Sequence, residues 1–131
     1  MEGTDGKQRQ IRKVMILEDE EDILHLYKDF LRTKGLSVIV TSTTANEAMD
    51  DYEKYRPDFV IIDYKLPGKK NGLQAAKEIL MRYPSGRILM LTAFDSVKDD
   101  LKKDLFFDDK TIQVLLKPVK LTRLADIIIR D

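Results

Sequence analysis

Five short apolar runs, alternating with segments of helical spacing, most constrain how this chain can fold. Short continuous runs of branched and large apolar residues are typical of strands buried on both faces, and such strands form parallel sheets. The runs are Val14–Leu17, Val38–Val40, Phe59–Ile62, Ile88–Leu91 and Ile112–Leu116. Their alternation with helices and the right-handed crossover rule predict an α/β fold, a doubly wound five-stranded parallel sheet with five helices.

The segments between the runs carry signals for where the helices begin and end. The first helix is predicted from about Asp22 to Lys34, with Gly35 as its stop. Thr44 followed by Glu47 forms a capping-box signature for the second helix. Apolar stripes predict three more helices, one after each of the last three runs.

Polar side chains stand where four of the runs end. They are Glu18-Asp19-Glu20, Asp63, Thr92 and Lys117. Ligands of parallel sheets bind outside the carboxyl ends of the strands, so one pocket should collect all four groups. Clustered carboxylates repel one another unless a hard cation lies among them, and Mg²⁺ prefers oxygen ligands. The pattern therefore predicts a Mg²⁺ site in which Asp63 is a nucleophile of the aspartyl-phosphate kind, with Lys117 and Thr92 holding phosphoryl oxygens.

The composition narrows the classes of protein. With 131 residues, 43% of them hydrophobic, the chain is expected to form one domain, residues 11–131, behind a flexible polar tail, residues 1–10. Lys plus Arg and Asp plus Glu number 23 each, so no global field attracts nucleic acid or an acidic membrane. The chain has no cysteine, and its apolar runs are too short for a membrane span or a signal peptide. A soluble cytoplasmic protein is expected.

Four motifs stand in order at the strand ends. They are Ile16-Leu17-Glu18-Asp19-Glu20, Ile62-Asp63-Tyr64-Lys65-Leu66-Pro67, Leu91-Thr92-Ala93 and Leu116-Lys117-Pro118. Together they resemble the receiver domains of two-component response regulators, including the chemotaxis-type single-domain members, over a span from about Arg12 to Arg130. The resemblance implies a flavodoxin-like sheet with strand order 2-1-3-4-5, and a signalling domain rather than a turnover enzyme.

The resemblance also implies roles for individual residues. Asp63 would accept a phosphoryl group from a sensor histidine kinase, a phosphotransfer protein or a small phosphodonor. Lys117 would pair with the phosphoryl oxygens, and the hydroxyl of Thr92 would swing toward the phosphoryl group. A downstream protein partner would respond to the change, and the domain itself would be a monomer or a weak dimer.

For the metal, the resemblance implies Mg²⁺ bound directly by Asp19 and Asp63 and by the backbone carbonyl of Lys65. Glu18 would act through water, and it stands where the family more often has Asp. All of these groups are hard oxygen ligands, as Mg²⁺ requires.

Three further departures from the family pattern distinguish this chain. Four residues, Gly68–Asn71, separate Pro67 from Gly72, one more than usual. Val114 stands where a switch aromatic is usually found, so the familiar coupling of threonine movement to an aromatic rotamer has no obvious aromatic. The segment before the fifth run lacks the usual Gly-Ala turn and carries Leu105-Phe106-Phe107. If both phenylalanines are exposed, they form a candidate docking patch.

Other classes of function fit these residues less well. A flavin or nucleotide binder needs phosphate-cradling donors after the first run, where this chain has acidic residues. A phosphatase with an aspartyl nucleophile would usually keep a second aspartate where Lys65 stands. His25, the single histidine, is interpreted as a helix-surface residue. Two alternatives stay open: a receiver-like docking module that acts without phosphorylation, and a receiver excised from a longer regulator.

Overall fold

A single parallel sheet with helices on both faces forms the fold of the computed structural model, which describes residues 11–130. The predicted tail, residues 1–10, lies outside the described residues. The strands are β1 (Lys13–Leu17), β2 (Ser37–Ser42), β3 (Phe59–Asp63), β4 (Arg87–Thr92) and β5 (Thr111–Leu116). The helices are α1 (Glu21–Thr33), α2 (Ala48–Tyr55), α3 (Gly72–Arg82), α4 (Ser96–Lys103) and α5 (Leu121–Arg130). The strand order β2-β1-β3-β4-β5 confirms the predicted fold class and topology.

Two hydrophobic layers hold the helices against opposite faces of the sheet. Because successive side chains of a strand point to opposite faces, Met15 and Leu17 belong to one layer and Val14 and Ile16 to the other. The first layer contains buried residues of α2, α3 and α4, and the second contains those of α1 and α5. Every residue of β3 is buried, as expected of a central strand covered on both faces. Within the described residues no helix is long and apolar enough to span a membrane.

The start of α2 differs from the predicted capping box. The helix begins at Ala48, and Glu47 makes no side-chain capping bond. Thr44 Oγ1 instead accepts a bond from the backbone N–H of Asn46 at 3.3 Å, within a turn that precedes the helix. The capping-box prediction at this position is wrong, because a local hydroxyl-to-backbone turn competes for the same threonine.

Other helix boundaries lie close to their predicted positions. Helix α1 ends at Thr33, and Gly35 follows with a φ of +83°, a conformation that glycine adopts at little cost. A capping box does form at α3, where the side chains and backbones of Asn71 and Gln74 exchange two bonds of 2.8 Å. This box fixes the end of the loop that follows Asp63.

A 3-10 helix, Leu105–Phe107, lies between α4 and β5. The hypothesis of a docking patch made of two exposed phenylalanines is wrong. Phe107 is only 7% exposed and belongs to the first layer, and Phe106 is half-buried against it. Asp104 accepts the backbone N–H of Phe106 at 3.0 Å and pairs with the Lys77 ammonium at 2.6 Å, which ties the segment to α3. Leu105 is the exposed member of the segment, at 79%.

Phe107→Ala is expected to lower the free energy of unfolding by about 3–5 kcal/mol, because truncating a buried phenylalanine leaves a cavity. The matched control is Leu105→Ala in the same 3-10 helix, where an exposed side chain predicts a change below about 0.5 kcal/mol. Urea denaturation followed by circular dichroism measures both values. Equal losses in the two variants would contradict the different burial of these side chains.

Candidate functional site

The carboxyl ends of β1, β3, β4 and β5 meet at one edge of the sheet. The register pairs Leu17 with Ile62, and Asp63 with Leu91. Backbone bonds continue this ladder past the strand ends, since Tyr64 N–H bonds to Leu91 O at 2.8 Å. The four loops that carry the predicted site residues are thereby held side by side.

A buried charge cluster lies at this edge. The Lys117 ammonium is 3.2 Å from Asp63 Oδ2 and 3.5 Å from Glu18 Oε1. Glu18 is 1% exposed and Asp63 is 6% exposed, so both carboxylates are largely removed from water. The structure thus brings together three residues that lie far apart in the sequence, as predicted from the strand ends.

Burial and mutual repulsion shift the acidity of this cluster. Burial raises the pKa of Asp63, and the Lys117 ammonium offsets only part of that effect. Burial is also the main reason that the pKa of Glu18 is raised, and the charge of Asp63 adds to it. For Lys117, burial alone would lower the pKa, but the charges of Asp63 and Glu18 outweigh it and the pKa is raised. The site therefore has more negative charge than its one ammonium can neutralise.

Thr92 lies at the end of β4 and is almost fully buried. Its Oγ1 accepts a bond from the backbone N–H of Phe94 at 3.0 Å. Its carbonyl accepts the backbone N–H of Lys117 at 2.8 Å, so the backbones that carry the hydroxyl and the ammonium are directly linked. The peptide bond between Lys117 and Pro118 is cis. Phe94 was not among the predicted site residues, although its place two residues after Thr92 is a signal that could have found it.

An open cleft of about 510 Å³ gives solvent access to this cluster. Five of the predicted site residues line it: Asp19, Asp63, Lys65, Thr92 and Lys117. The sixth, Glu18, does not line the cleft and is buried beside it, next to Lys117. The backbone of Lys65 offsets a small part of the rise in the pKa of Asp63, while the Lys65 side chain is exposed. A small reactant can reach Asp63 from the solvent through this opening.

The acidic run after β1 forms a compact group of oxygen donors. One carboxylate oxygen from each of Glu18, Asp19 and Glu20 lies within 4.8 Å of the others. Glu18 Oε2 also accepts the backbone N–H of Glu20 at 3.1 Å, which orients the buried carboxylate. Glu20 was not in the predicted ligand set, although it belongs to the same run. An all-oxygen group in a site with more carboxylates than ammonium groups fits a small, hard divalent cation.

Gly72 allows α3 to approach the site closely. A Cβ at this position would lie 2.2 Å from the Asp63 carbonyl oxygen, so no larger residue fits without a shift of the backbone. The Gly72 N–H bonds to Tyr64 O at 2.7 Å. This contact supports the backbone next to the proposed nucleophile, Asp63. The glycine is visible in the sequence, but its contact with the backbone of Asp63 could not be predicted from the sequence.

The longer loop after β3 is tied to the loop between β2 and α2. Asn46 Oδ1 accepts the backbone N–H of Lys69 at 3.2 Å. Gly68 has a φ of +101°, and a Cβ there would lie 2.6 Å from Asn46 Oδ1. Lys70 pairs with Glu78 of α3 at 2.7 Å. The additional residue is therefore accommodated by specific contacts.

The fold and this site define the class of protein. A family model described as "Response regulator receiver domain" matches residues 14–129. The chain belongs to the family of response regulator receiver domains, which are signalling domains of two-component systems. This membership confirms the resemblance inferred from the four motifs.

Two curated relatives illustrate the range of the family. The probable C4-dicarboxylate response regulator DctR of Bacillus subtilis is 31% identical over 86% of this chain and 48% of its own length. The chemotaxis protein CheY of Thermotoga maritima is 30% identical over 63% of this chain and 68% of its own length. The chain thus spans about half the length of DctR but two thirds of CheY.

Solved structures share the fold. A CheY-like response regulator receiver domain protein from Methanospirillum hungatei has a TM-score of 0.78 and 22% identity, covering 92% of this chain and 93% of that one. The CheX–CheY–BeF₃–Mg²⁺ complex from Borrelia burgdorferi has a TM-score of 0.78 and 18% identity, covering 91% of this chain and 87% of that one. At these identities the likeness shows the fold alone.

Glu18→Gln is expected to raise the free energy of unfolding on the order of 1 kcal/mol at neutral pH without divalent cations. The native pKa of Glu18 is raised, so wild-type stability falls as the pH rises through the interval between the unfolded and native pKa values. The gain in the variant should therefore vanish at acidic pH, where wild-type Glu18 is protonated in both states. Urea denaturation across a pH series measures the difference.

Asp126→Asn on the exposed face of α5 is the control for this series. It removes one carboxylate from the protein without touching the buried cluster, so its effect should stay small at every pH. If Glu18→Gln changes the free energy of unfolding no more than Asp126→Asn does at every pH, the proposed excess of negative charge at the site is contradicted.

Proposed function

We propose that this receiver domain is phosphorylated on Asp63 and that phosphorylation switches its binding to a protein partner. The observation that carries the proposal is the Lys117 ammonium 3.2 Å from Asp63 Oδ2, at the base of a cleft open to solvent. A carboxylate that is buried, reachable and paired with a fixed cation is suited to act as a nucleophile toward phosphorus.

The proposed step is a phosphoryl transfer. An Asp63 oxygen forms a bond to phosphorus while the bond between phosphorus and the donor breaks, and the bonding electrons leave with the donor. With a phosphohistidine donor the products are free histidine and the acyl phosphate of Asp63. Lys117 stabilises the phosphoryl oxygens, because a positioned cation in a water-poor site offsets charge without reorganising. Thr92 is proposed to donate its hydroxyl to a phosphoryl oxygen.

Asp19, Asp63, the backbone carbonyl of Lys65 and, through water, Glu18 are the proposed holders of Mg²⁺. When bound, the ion would offset the negative charge that the phosphoryl group brings to an already acidic site. The donor set fits this role, since the acidic run supplies only oxygen ligands.

The proposed partners follow from the chemistry of the site. A sensor histidine kinase or a phosphotransfer protein supplies the phosphoryl group, and a downstream protein responds to the phosphorylated state. Phosphorylation biases two conformations that exist beforehand, so an effective switch needs a few kcal/mol of differential interaction. We propose a cytoplasmic setting, a monomer or weak dimer, and no nucleic-acid or membrane binding by this chain, whose charges balance.

Incubation with acetyl phosphate and Mg²⁺ is expected to add one phosphoryl group to the wild-type protein, and Asp63→Asn should abolish the addition. Asparagine is similar in size but lacks the nucleophilic carboxylate. Intact mass spectrometry measures the adduct. Asp58→Asn is the matched control, because Asp58 is an exposed aspartate just before β3 and its variant should label normally.

Equal labelling of the wild type and Asp63→Asn would overturn the assignment of the nucleophile. No adduct in any of the three proteins, with retained partner binding, would favour a docking module that acts without phosphorylation.

Mg²⁺ is expected to raise the melting temperature of the wild type, since a ligand at about 100 times its Kd adds about 2.7 kcal/mol of stability. Asp19→Asn should weaken this effect by removing a proposed direct ligand. Asp22→Asn is the control, because Asp22 is also exposed at the start of α1 but is not one of the three clustered acids. A differential scanning calorimetry titration measures the shift, and equal shifts in both variants would contradict the proposed ligand set.

A further inference from the structure

Val114 stands where the family resemblance implies an aromatic residue. Val114 lies on β5, in register with Met90 of β4, and packs half-buried against the first layer. A packed, β-branched side chain has few rotamers and cannot sweep between buried and exposed positions as an aromatic ring can. Residues that contact Thr92 directly are therefore the candidates to respond to a change in its position.

Phe94 is directly connected to the Thr92 hydroxyl. Its backbone N–H donates to Thr92 Oγ1 at 3.0 Å. Its carbonyl accepts the backbone N–H of Val97 at 3.3 Å, in the first turn of α4. Val97 is buried in the first layer. One residue therefore links the hydroxyl at the site to the anchored start of a helix.

The side chain of Phe94 stands at the surface beside the site. It is 49% exposed and lines the same cleft as Asp63 and Lys117. Of the large hydrophobic residues exposed among residues 11–130, it is the one that lines this cleft. A half-exposed ring on a short loop can change position at low cost, unlike a ring in the close-packed core.

We infer that Phe94 transmits the position of the Thr92 hydroxyl to the protein surface, in place of an aromatic residue at position 114. A hydroxyl oxygen both accepts and donates, so Thr92 can hold the Phe94 N–H and turn toward a phosphoryl oxygen. Displacement of Oγ1 toward Asp63 either carries the Phe94 amide with it or breaks the 3.0 Å bond. Both events move Phe94 and the first turn of α4. This inference rests on the proposed phosphorylation of Asp63.

The chain contains no tryptophan, so Phe94→Trp places a single tryptophan at the proposed moving residue, and its emission can be excited selectively over that of the five tyrosines. Mg²⁺ with beryllium fluoride, or with acetyl phosphate, is the probe. The expected result is a shift of the emission maximum that scales with the fraction of modified protein. Intact mass spectrometry of the acetyl phosphate samples measures that fraction. Met81→Trp is the matched reporter, because Met81 is also exposed but lies near the far end of α3. Its emission should not shift.

A second substitution tests the hydroxyl itself. Thr92→Val keeps the shape of the side chain but removes the acceptor for the Phe94 N–H. In the Phe94→Trp background it should abolish the shift per modified molecule, whereas Thr92→Ser should retain it. An equal shift with valine would overturn the inference, because the indole would then report only the added charge in the cleft.

Amide hydrogen exchange of the wild type gives an independent measurement. Exchange of the Phe94 amide should change when Mg²⁺ and beryllium fluoride are added, and the exposed Leu105 amide region serves as the reference. An adduct on Asp63 with unchanged Phe94 exchange, and with unchanged emission from the Phe94→Trp variant, would refute this inference while leaving the proposed function intact. Absence of any adduct would instead refute the proposed function, and this inference with it.

Discussion

The pairing of one ammonium with two desolvated carboxylates is the interaction on which the rest of the structure depends. Lys117 lies between Glu18 and Asp63, and the charges around it do not balance. Buried charge of this kind is unfavourable for folding, because the groups lose hydration that one partner cannot replace. The apolar contacts of the two layers offset this unfavourable free energy. The stabilising contacts therefore lie between the sheet and the helices, and the reactive groups lie at one edge of the sheet.

The parallel sheet makes such a concentration possible. Its strands end at the same edge, and backbone bonds continue from the ladder into the loops, as between Lys117 and Thr92. Rigid elements hold reactive groups more accurately than long loops do. The acidic run after β1 and the loop after β3 both line the cleft, and Gly72 allows α3 to support the second of these loops at close range. The reactive edge is thus assembled from segments whose positions the core determines.

Much of this arrangement could be predicted from the sequence, for a physical reason. Strands buried on both faces appear as continuous apolar runs, so β1, β3 and β4 were identifiable from the order of their residues. The polar residues that follow them were predicted to meet because parallel strands end at one edge, and Asp63 and Lys117 do lie within 3.2 Å. Packing and hydrogen bonds away from the strand ends were not predictable, because no local pattern specifies them.

Two residues illustrate this limit. Phe107 and the exposed Leu105 are apolar residues of the same 3-10 helix, and the sequence does not show which of them is buried. The packing of this helix against the first layer buries Phe107. Thr44 carries a capping-box signature, but its hydroxyl bonds one residue earlier than the motif requires. The surrounding structure determines whether a weak local pattern of this kind forms the predicted contact.

The contact between Asn46 and Gly68 has a consequence for how this loop is inherited. Gly68 is restricted twice, by a backbone conformation that disfavours side chains and by the carboxamide that would meet its Cβ. We expect asparagine at 46 and glycine at 68 to be kept or replaced together among relatives, because the place where the two loops cross depends on both residues.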